Sequence, residues 1–133
     1  MPEAMPLLAR VSATDWIEGG WDLRDCEALL ADSSSRGLDF IDVSSGGLSP
    51  LARVPVGPGY QVGLAAAVRR VAGVPVGAVG LITTMEQAEQ ALASGSADAV
   101  SLGRLLLRDP YWPARNLPEA VRRVPGQYLR AFT

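Results

Sequence analysis

Few residues of this chain could carry out chemistry themselves. None of the 133 residues is a histidine, and Cys26 is the only cysteine. Histidine-based triads, imidazole general catalysis and most transition-metal sites are therefore excluded, as is an internal disulfide. The remaining candidates are carboxylates, tyrosines, arginines and a bound cofactor, and we predict no metal site.

Residues 76–110 have the clearest ligand-binding pattern in the chain. Two short apolar runs, 76–82 and 97–103, end in glycine-containing turns, and a segment rich in Ala, Glu and Gln separates them. The pattern predicts a strand, a helix and a second strand. Glycines at strand ends let backbone N–H groups approach a phosphate, and a following helix N-terminus favours negative charge. We therefore expect an anionic ligand at these turns.

The rest of the chain continues this alternation of strands and helices. Four apolar runs predict strands, over residues 6–13, 38–43, 76–81 and 99–102. Three long helices are expected, over residues 23–33 behind Asp22, over 60–72 ending at Gly73, and from Thr83 or Thr84 to about Ala93. Shorter helices are expected from about Arg104 and over residues 114–123, and the proline-rich segment 48–59 is expected to be a loop.

Almost wholly apolar strands that alternate with helices indicate a parallel sheet covered by helices. An open doubly wound sheet and a section of a (β/α)8 barrel both fit this pattern. The glycine-rich turns after the last two strands favour the barrel, because barrel phosphate sites often form there. The length does not favour it, because a closed barrel typically needs about 250 residues.

Composition limits the partners. With 48% hydrophobic residues and a net charge of −2, residues 1–133 are expected to form a single domain with a buried core. The scattered basic residues argue against a nucleic-acid partner. No apolar run approaches the roughly 20 residues that span a bilayer, and residues 1–5 lack the features of a signal peptide. We therefore expect no membrane partner and a cytoplasmic location.

Five motifs occur in order along the chain: RVSATDW (10–16), DVSSGG (42–47), PGYQ (58–61), GAVGLI (77–82) and GRLLLRDPYW (103–112). Together they resemble the C-terminal half of the old yellow enzyme family, and most of all its bacterial NADPH:flavin oxidoreductase and xenobiotic-reductase branch. The resemblance implies an FMN-binding TIM barrel, with the four strands corresponding to strands 5 to 8. It also implies NADPH or NADH as reductant and an activated alkene, or a similar small molecule, as substrate.

The resemblance also assigns roles to residues. Arg10 resembles the arginine beside the N1/O2 edge of the flavin ring, where a guanidinium stabilises the negative charge of reduced flavin. A solvated Arg10, or one ion-paired with Asp42, is the alternative interpretation. The FMN-contacting set implied by the resemblance is Arg10, Ser45, Gly46, Ala78, Val79, Gly80, Gly103 and Arg104. Within this set, Gly103 and Arg104 resemble the residues that bind the phosphate.

The tail, residues 125–132, resembles the segment of this branch in which an arginine reaches the neighbouring subunit's active site, and Arg130 is the matching position. The family residues of strands 1 to 4 have no counterpart here, among them its substrate-binding histidines, so we predict no catalytic residue in this chain. Three hypotheses follow: a fragment of an FMN oxidoreductase, two half-barrels that pair as a homo-oligomer or with an N-terminal half, and a catalytically inactive phosphate- or flavin-binding scaffold.

Overall fold

The computed structural model describes residues 5–31, 33–116 and 125–131 and divides into two compact units, Met1–Ser101 and Leu102–Thr133. The first unit contains β1 (Leu8–Ser12), α1 (Leu23–Leu30), a 3-10 turn (Ser33–Arg36), β2 (Phe40–Ser44), α2 (Val62–Ala72), β3 (Val76–Ala78), α3 (Met85–Ala93) and β4 (Ala99–Val100). The second contains α4 (Gly103–Arg108), α5 (Trp112–Asn116) and a 3-10 turn (Gly126–Ala131). The expectation of a single domain stays a prediction.

The four strands form one parallel sheet in the order β1-β2-β3-β4. A doubly wound sheet reverses its strand order at a switch point, whereas strands that follow one another in sequence with helices between them form a barrel wall. The sheet shows no reversal. The predicted fold class, half of a (β/α)8 barrel, is therefore confirmed, with strands shorter than the apolar runs suggested.

Helices α1 and α2 cover one face of the sheet. Successive strand residues point to opposite faces, so Ile41 and Val43 of β2 share a face with Val76 and Ala78 of β3. These four side chains are fully buried and form one core with Cys26, Leu30, Ala65, Val68 and Ala72 of the two helices. Small side chains on α2 let the helix approach the sheet closely.

Local sequence determines where the long helices begin and end. Asp22 accepts the backbone N–H groups of Arg24 and Asp25, and Asp25 accepts the N–H of Asp22 in return, which completes a capping box. Thr84 and Gln87 form the same reciprocal cap on α3. Gly73 ends α2 in the left-handed conformation. The predicted caps are confirmed, while α1 stops at Leu30, three residues short of its predicted end, and a 3-10 turn begins at Ser33.

The other face of the sheet carries polar and aromatic side chains and is exposed to solvent at β1; it is called the open face below. Arg10 of β1, Asp42 of β2 and Gly77 of β3 stand in register across it. Leu8, two residues before Arg10 on the same face of β1, is 61% exposed. A barrel directs this face inwards, so these residues correspond to the barrel interior.

The second unit consists of short helices. α4 covers Gly103–Arg108 and α5 covers Trp112–Asn116, within which Arg115 forms an ion pair with Asp109 of the preceding turn. The short helix predicted near Arg104 is therefore confirmed. The helix predicted over 114–123 begins earlier, and its last residues, 117–123, lie outside the described residues.

Candidate functional site

The carboxyl ends of β2 and β3 carry two of the loops that the sequence assigned to the cofactor. Ser45 and Gly46 directly follow β2, and Val79 and Gly80 directly follow β3. Parallel neighbours end at the same edge of a sheet, so the two loops lie side by side. This edge is where barrel enzymes bind their ligands.

Gly80 is packed against Gln61, the residue before α2. Its φ of +125° lies in a region that L side chains rarely adopt, and a Cβ there would lie 2.9 Å from Gln61 Nε2. The Gln61 side chain is almost fully buried and accepts a hydrogen bond from Ser45 Oγ at 2.7 Å. The Gly59 N–H donates to the Gly80 carbonyl at 2.8 Å. Gln61 therefore ties the β2, α2 and β3 loops together.

Gly46 is held by the last residue of β1 and by the loop after it. Its N–H donates to the Thr14 carbonyl at 2.8 Å, and its carbonyl accepts from Ser12 Oγ at 3.3 Å. A Cβ at Gly46 would lie 3.3 Å from Trp16 Cδ1. The N–H of Gly46 is thus engaged within the fold. Its left-handed backbone, with φ +66°, favours glycine here, and a Cβ would also be crowded by Val54 Cγ2 at 3.3 Å.

Trp16 itself is unusual. It adopts a left-handed backbone with φ +59°, and its Nε1 is buried with no hydrogen-bond partner within the described residues. The Arg53 N–H donates to its carbonyl at 3.3 Å. Trp16 therefore serves as packing between the β1 and β2 loops.

Arg10 is the cation of the open face. Its Nη1 donates to Asp42 Oδ2 at 2.7 Å, yet the arginine side chain remains 60% exposed. The predicted alternative of an ion pair with Asp42 is therefore present, and the exposed part of the guanidinium still faces the open side of the sheet. The two interpretations are compatible, because a guanidinium has five donors and Asp42 occupies one.

Ala78 and Val79 contribute differently from each other. Ala78 is fully buried on the helix side of the sheet, and its carbonyl accepts the Ser101 N–H at 2.8 Å. Its side chain is part of the core. Val79, one residue later, is half-buried at the carboxyl end of β3.

Three of the assigned residues belong to the second unit. Gly103 opens α4, and a Cβ there would meet no atom within 4 Å. Arg104, in the first turn of α4, is exposed and has no ion-pair partner within the described residues. Arg130 is exposed in the 3-10 turn Gly126–Ala131.

A second ion pair lies at the opposite end of the sheet, before β4. Arg69 of α2 donates two hydrogen bonds to Asp98, at 2.8 and 2.9 Å, and the Val76 N–H donates to the same carboxylate at 2.9 Å. These donors, the Arg69 side chain first, lower the pKa of Asp98 from its usual value. At the amino end of a barrel such contacts support the fold rather than the chemistry.

Three residues around the site were not identified from sequence as part of it. Gln61 connects the loops, and Asp42 and Ser101 are linked on the open face, where Ser101 Oγ donates to Asp42 Oδ1 at 3.1 Å. The quoted motifs include Gln61 and Asp42. Side chains alternate between the two faces of β2, which is enough to place Asp42 on the face opposite the core. Nothing in the sequence places Ser101 near Asp42, since 59 positions separate them.

The exposed Arg10 guanidinium on the open face is suited to an anionic group. Gly80 has no room for a side chain, because Gln61 lies against it. The described residues contain no cluster of three or more potential metal-ligating side chains. Among the described helices, none is long and apolar enough to cross a membrane.

The fold is part of a parallel barrel, a class of protein whose enzymes bind their ligands at the carboxyl ends of the strands. Residues 3–119 match the model of the NADH:flavin oxidoreductase / NADH oxidase family, and the chain belongs to that family. The predicted resemblance to old yellow enzymes is thereby confirmed. The family's name agrees with the expectation of FMN and NADPH or NADH.

Three similar proteins, each named an NADPH dehydrogenase, support the assignment to this family. The chain is 46% identical over 129 residues to an NADPH dehydrogenase of Geobacillus thermodenitrificans and to one of Halalkalibacterium halodurans, and 45% identical over 131 residues to one of Bacillus licheniformis. These alignments cover 96% or 97% of the chain and 38% of each relative. The chain thus spans little more than a third of the length of these relatives.

A solved structure supports the fold alone. The chain superposes on 2-naphthoyl-CoA reductase, solved in complex with 2-naphthoyl-CoA, with a TM-score of 0.69 and 24% identity. The superposition covers 83% of this chain and 17% of the reductase. The half-barrel is therefore a part of a larger architecture in that protein.

Proposed function

We propose that this chain is the FMN-holding part of an NAD(P)H-dependent flavin oxidoreductase of the ene-reductase type. The observation that carries the proposal is the exposed Arg10 guanidinium on the open sheet face, beside the loops that follow β2 and β3. Membership of the flavin oxidoreductase family supports FMN as the anionic ligand of this arrangement.

Each residue of the set has a role in the proposal. Gly103 and Arg104 bind the FMN phosphate, because an exposed arginine forms strong charge-assisted hydrogen bonds to a dianion. The FMN ribityl phosphate lies along the loops after β2 and β3, beside Ser45, Gly46, Val79 and Gly80. Ala78 contributes only its backbone, since its side chain is in the core. Arg10 meets the flavin ring. When bound, FMN supplies hydride-transfer chemistry that no side chain of this chain possesses.

The whole activity needs residues that this chain does not contain. With no histidine, the chain cannot supply the substrate-binding histidines of the family. We propose that four further strands from an N-terminal half complete the barrel and the site for an activated alkene. A second copy of this chain could close the barrel, but it brings no histidine to the site. Arg130 then serves a neighbouring subunit. The free, buried Cys26 agrees with the proposed cytoplasmic location.

The open sheet supports such pairing. Within the described residues, β1 and β4 each have one strand neighbour, so both present an unpaired edge. The face between them exposes Leu8 and half-exposes Phe40. A scaffold without catalysis is the second candidate, favoured by the same open face, and it predicts pairing without NAD(P)H oxidation.

FMN titration followed by flavin fluorescence tests the proposal. We expect Arg104→Gln to weaken FMN binding at least tenfold, because a hydrogen bond to a charged group contributes about 1.5–3 kcal/mol. Arg108→Gln is the matched control, because Arg108 is also an exposed arginine of α4. Equal losses in the two variants, or none in either, would contradict the assignment of the phosphate site.

NADPH consumption with an enone acceptor separates the two candidates. The chain alone is expected to bind FMN and to turn over very slowly or not at all, while a complete barrel oxidises NADPH. A completed, FMN-loaded barrel that leaves NADPH untouched would favour the scaffold.

A further inference from the structure

Asp42 is the centre of a small network on the open face. Its Oδ2 accepts Arg10 Nη1 at 2.7 Å, and its Oδ1 accepts Ser101 Oγ at 3.1 Å. The donors come from β1 and from the residue after β4, on either side of β2. Only 17% of the Asp42 side chain is exposed, against 60% for Arg10. The carboxylate is therefore fixed by two elements, and the arginine is fixed through the carboxylate.

Gly77 makes the longer of these contacts possible. Gly77 of β3 lies in register between Asp42 of β2 and Ala99 of β4. A Cβ at Gly77 would lie 3.2 Å from Asp42 Oδ1 and 2.8 Å from Phe40 Cζ. Any other residue there would crowd the carboxylate and the Phe40 ring, so the missing side chain leaves Asp42 room to reach across β3 to Ser101.

The network places a negative charge directly against the proposed flavin-facing cation. Asp42 Oδ2 lies 2.7 Å from Arg10 Nη1, so at longer range the negative charge of the carboxylate cancels most of the positive charge of the guanidinium. Reduced flavin develops negative charge, which a nearby cation stabilises and a nearby anion destabilises. Arg10 and Asp42 therefore act on the flavin in opposite directions.

We propose that Asp42 is a positioning residue. It holds Arg10 on the open face and, by offsetting the charge of Arg10, lowers the reduction potential of the bound flavin. This inference rests on the proposed function, because it requires FMN beside Arg10. A low potential makes the reduced flavin a stronger hydride donor to its acceptor. Ser101 contributes by fixing the second carboxylate oxygen.

A structural explanation also exists: the ion pair simply joins β1 to β2. The two explanations differ in what they change. An ion pair that only supports the fold alters stability and leaves the flavin potential untouched, whereas a charge beside the flavin shifts the potential. The Arg69–Asp98 pair is the matched control, since it has the same chemistry at the amino ends of the strands.

The decisive experiment measures the FMN midpoint potential of the full chain against a reference dye. Asp42→Asn keeps the size of the side chain and removes its charge, and we expect at least a tenfold shift towards reduced flavin, which is about 30 mV for a two-electron couple. We expect Arg10→Gln to shift the potential the opposite way and Asp98→Asn to leave it unchanged. An unchanged potential in Asp42→Asn, or an equal shift in Asp98→Asn, overturns the inference.

A second measurement tests the positioning directly, without FMN. Nitrogen NMR of the free chain is expected to show slowed rotation of the Arg10 Nη groups, and fast rotation in Asp42→Asn. Fast rotation in the unmodified chain overturns the positioning role. Failure of the chain to bind FMN overturns the proposed function and this inference with it, while FMN binding with no shift in potential overturns this inference alone.

Discussion

Replacing Gly80 with alanine is the most direct perturbation of the loop junction. The new Cβ would lie 2.9 Å from Gln61 Nε2 at a backbone φ of +125°. Backbone strain of this kind costs about 1–3 kcal/mol. Moving Gln61 aside also breaks its hydrogen bond with Ser45, which adds about 1 kcal/mol. The expected loss in the free energy of unfolding is therefore about 2–4 kcal/mol.

Urea denaturation followed by circular dichroism measures this loss, and two glycine controls divide it into its parts. Gly63→Ala, in the first turn of α2 and with no atom within 4 Å of its Cβ, is expected to gain at most about 1 kcal/mol from helix propensity. Gly95→Ala has a positive φ of +68° and the same open surroundings, so it reports strain alone, about 1–2 kcal/mol.

The order of the three variants is the test. We expect Gly80→Ala to be less stable than Gly95→Ala, because only Gly80 has both strain and a close neighbour. If Gly80→Ala were no less stable than Gly95→Ala, Gln61 would not be packed against Gly80 as described. A double variant that also carries Gln61→Ala should recover part of the loss, since the obstructing side chain is then absent.

Three further predictions concern the first unit. Thr84→Ala removes the cap of α3 and should lower the free energy of unfolding by about 1 kcal/mol in urea, whereas a change within error would refute the cap. Arg69 lowers the pKa of Asp98 in the folded protein, so the ionised carboxylate stabilises the fold fully above the unfolded-state pKa, and this stabilisation is lost as pH falls through the folded-state pKa. The difference in the free energy of unfolding between the wild type and Asp98→Asn should therefore shrink below about pH 4. A difference that stays constant with pH would contradict this. Burial raises the pKa of the Cys26 thiol, so a thiol reagent should label the unfolded chain quickly and the native chain slowly, and rapid native labelling would show that Cys26 is accessible.

The sequence predicted the fold well where local rules apply. The caps at Asp22 and Thr84 and the stop at Gly73 are confirmed, because each depends on residues within one turn of the helix end. Strand lengths were overestimated at residues 76–81, because an apolar run continues past the last ladder hydrogen bond: Gly80 and Leu81 both leave β3 with positive φ. The hydrophobic pattern of a segment does not show where its hydrogen bonding to the neighbouring strand ends.

The candidate site was harder to predict, since its contacts join distant parts of the chain. The Arg10–Asp42 pair was one of two alternatives for Arg10, and the sequence could not choose between them. The contact of Ser101 with Asp42 depends on strand register and on the absence of a side chain at Gly77. Register and close approach follow from three-dimensional packing, which no local pattern encodes.

Binding of FMN compared with riboflavin tests the central claim most directly, namely that this chain holds the flavin through its phosphate. The two ligands differ only in the phosphate, and both can be titrated by quenching of flavin fluorescence. We predict a dissociation constant in the range of about 1 μM for FMN, close to −8.2 kcal/mol, and at least tenfold weaker binding of riboflavin. Equal affinity for the two ligands, or no binding of FMN at all, would contradict the claim.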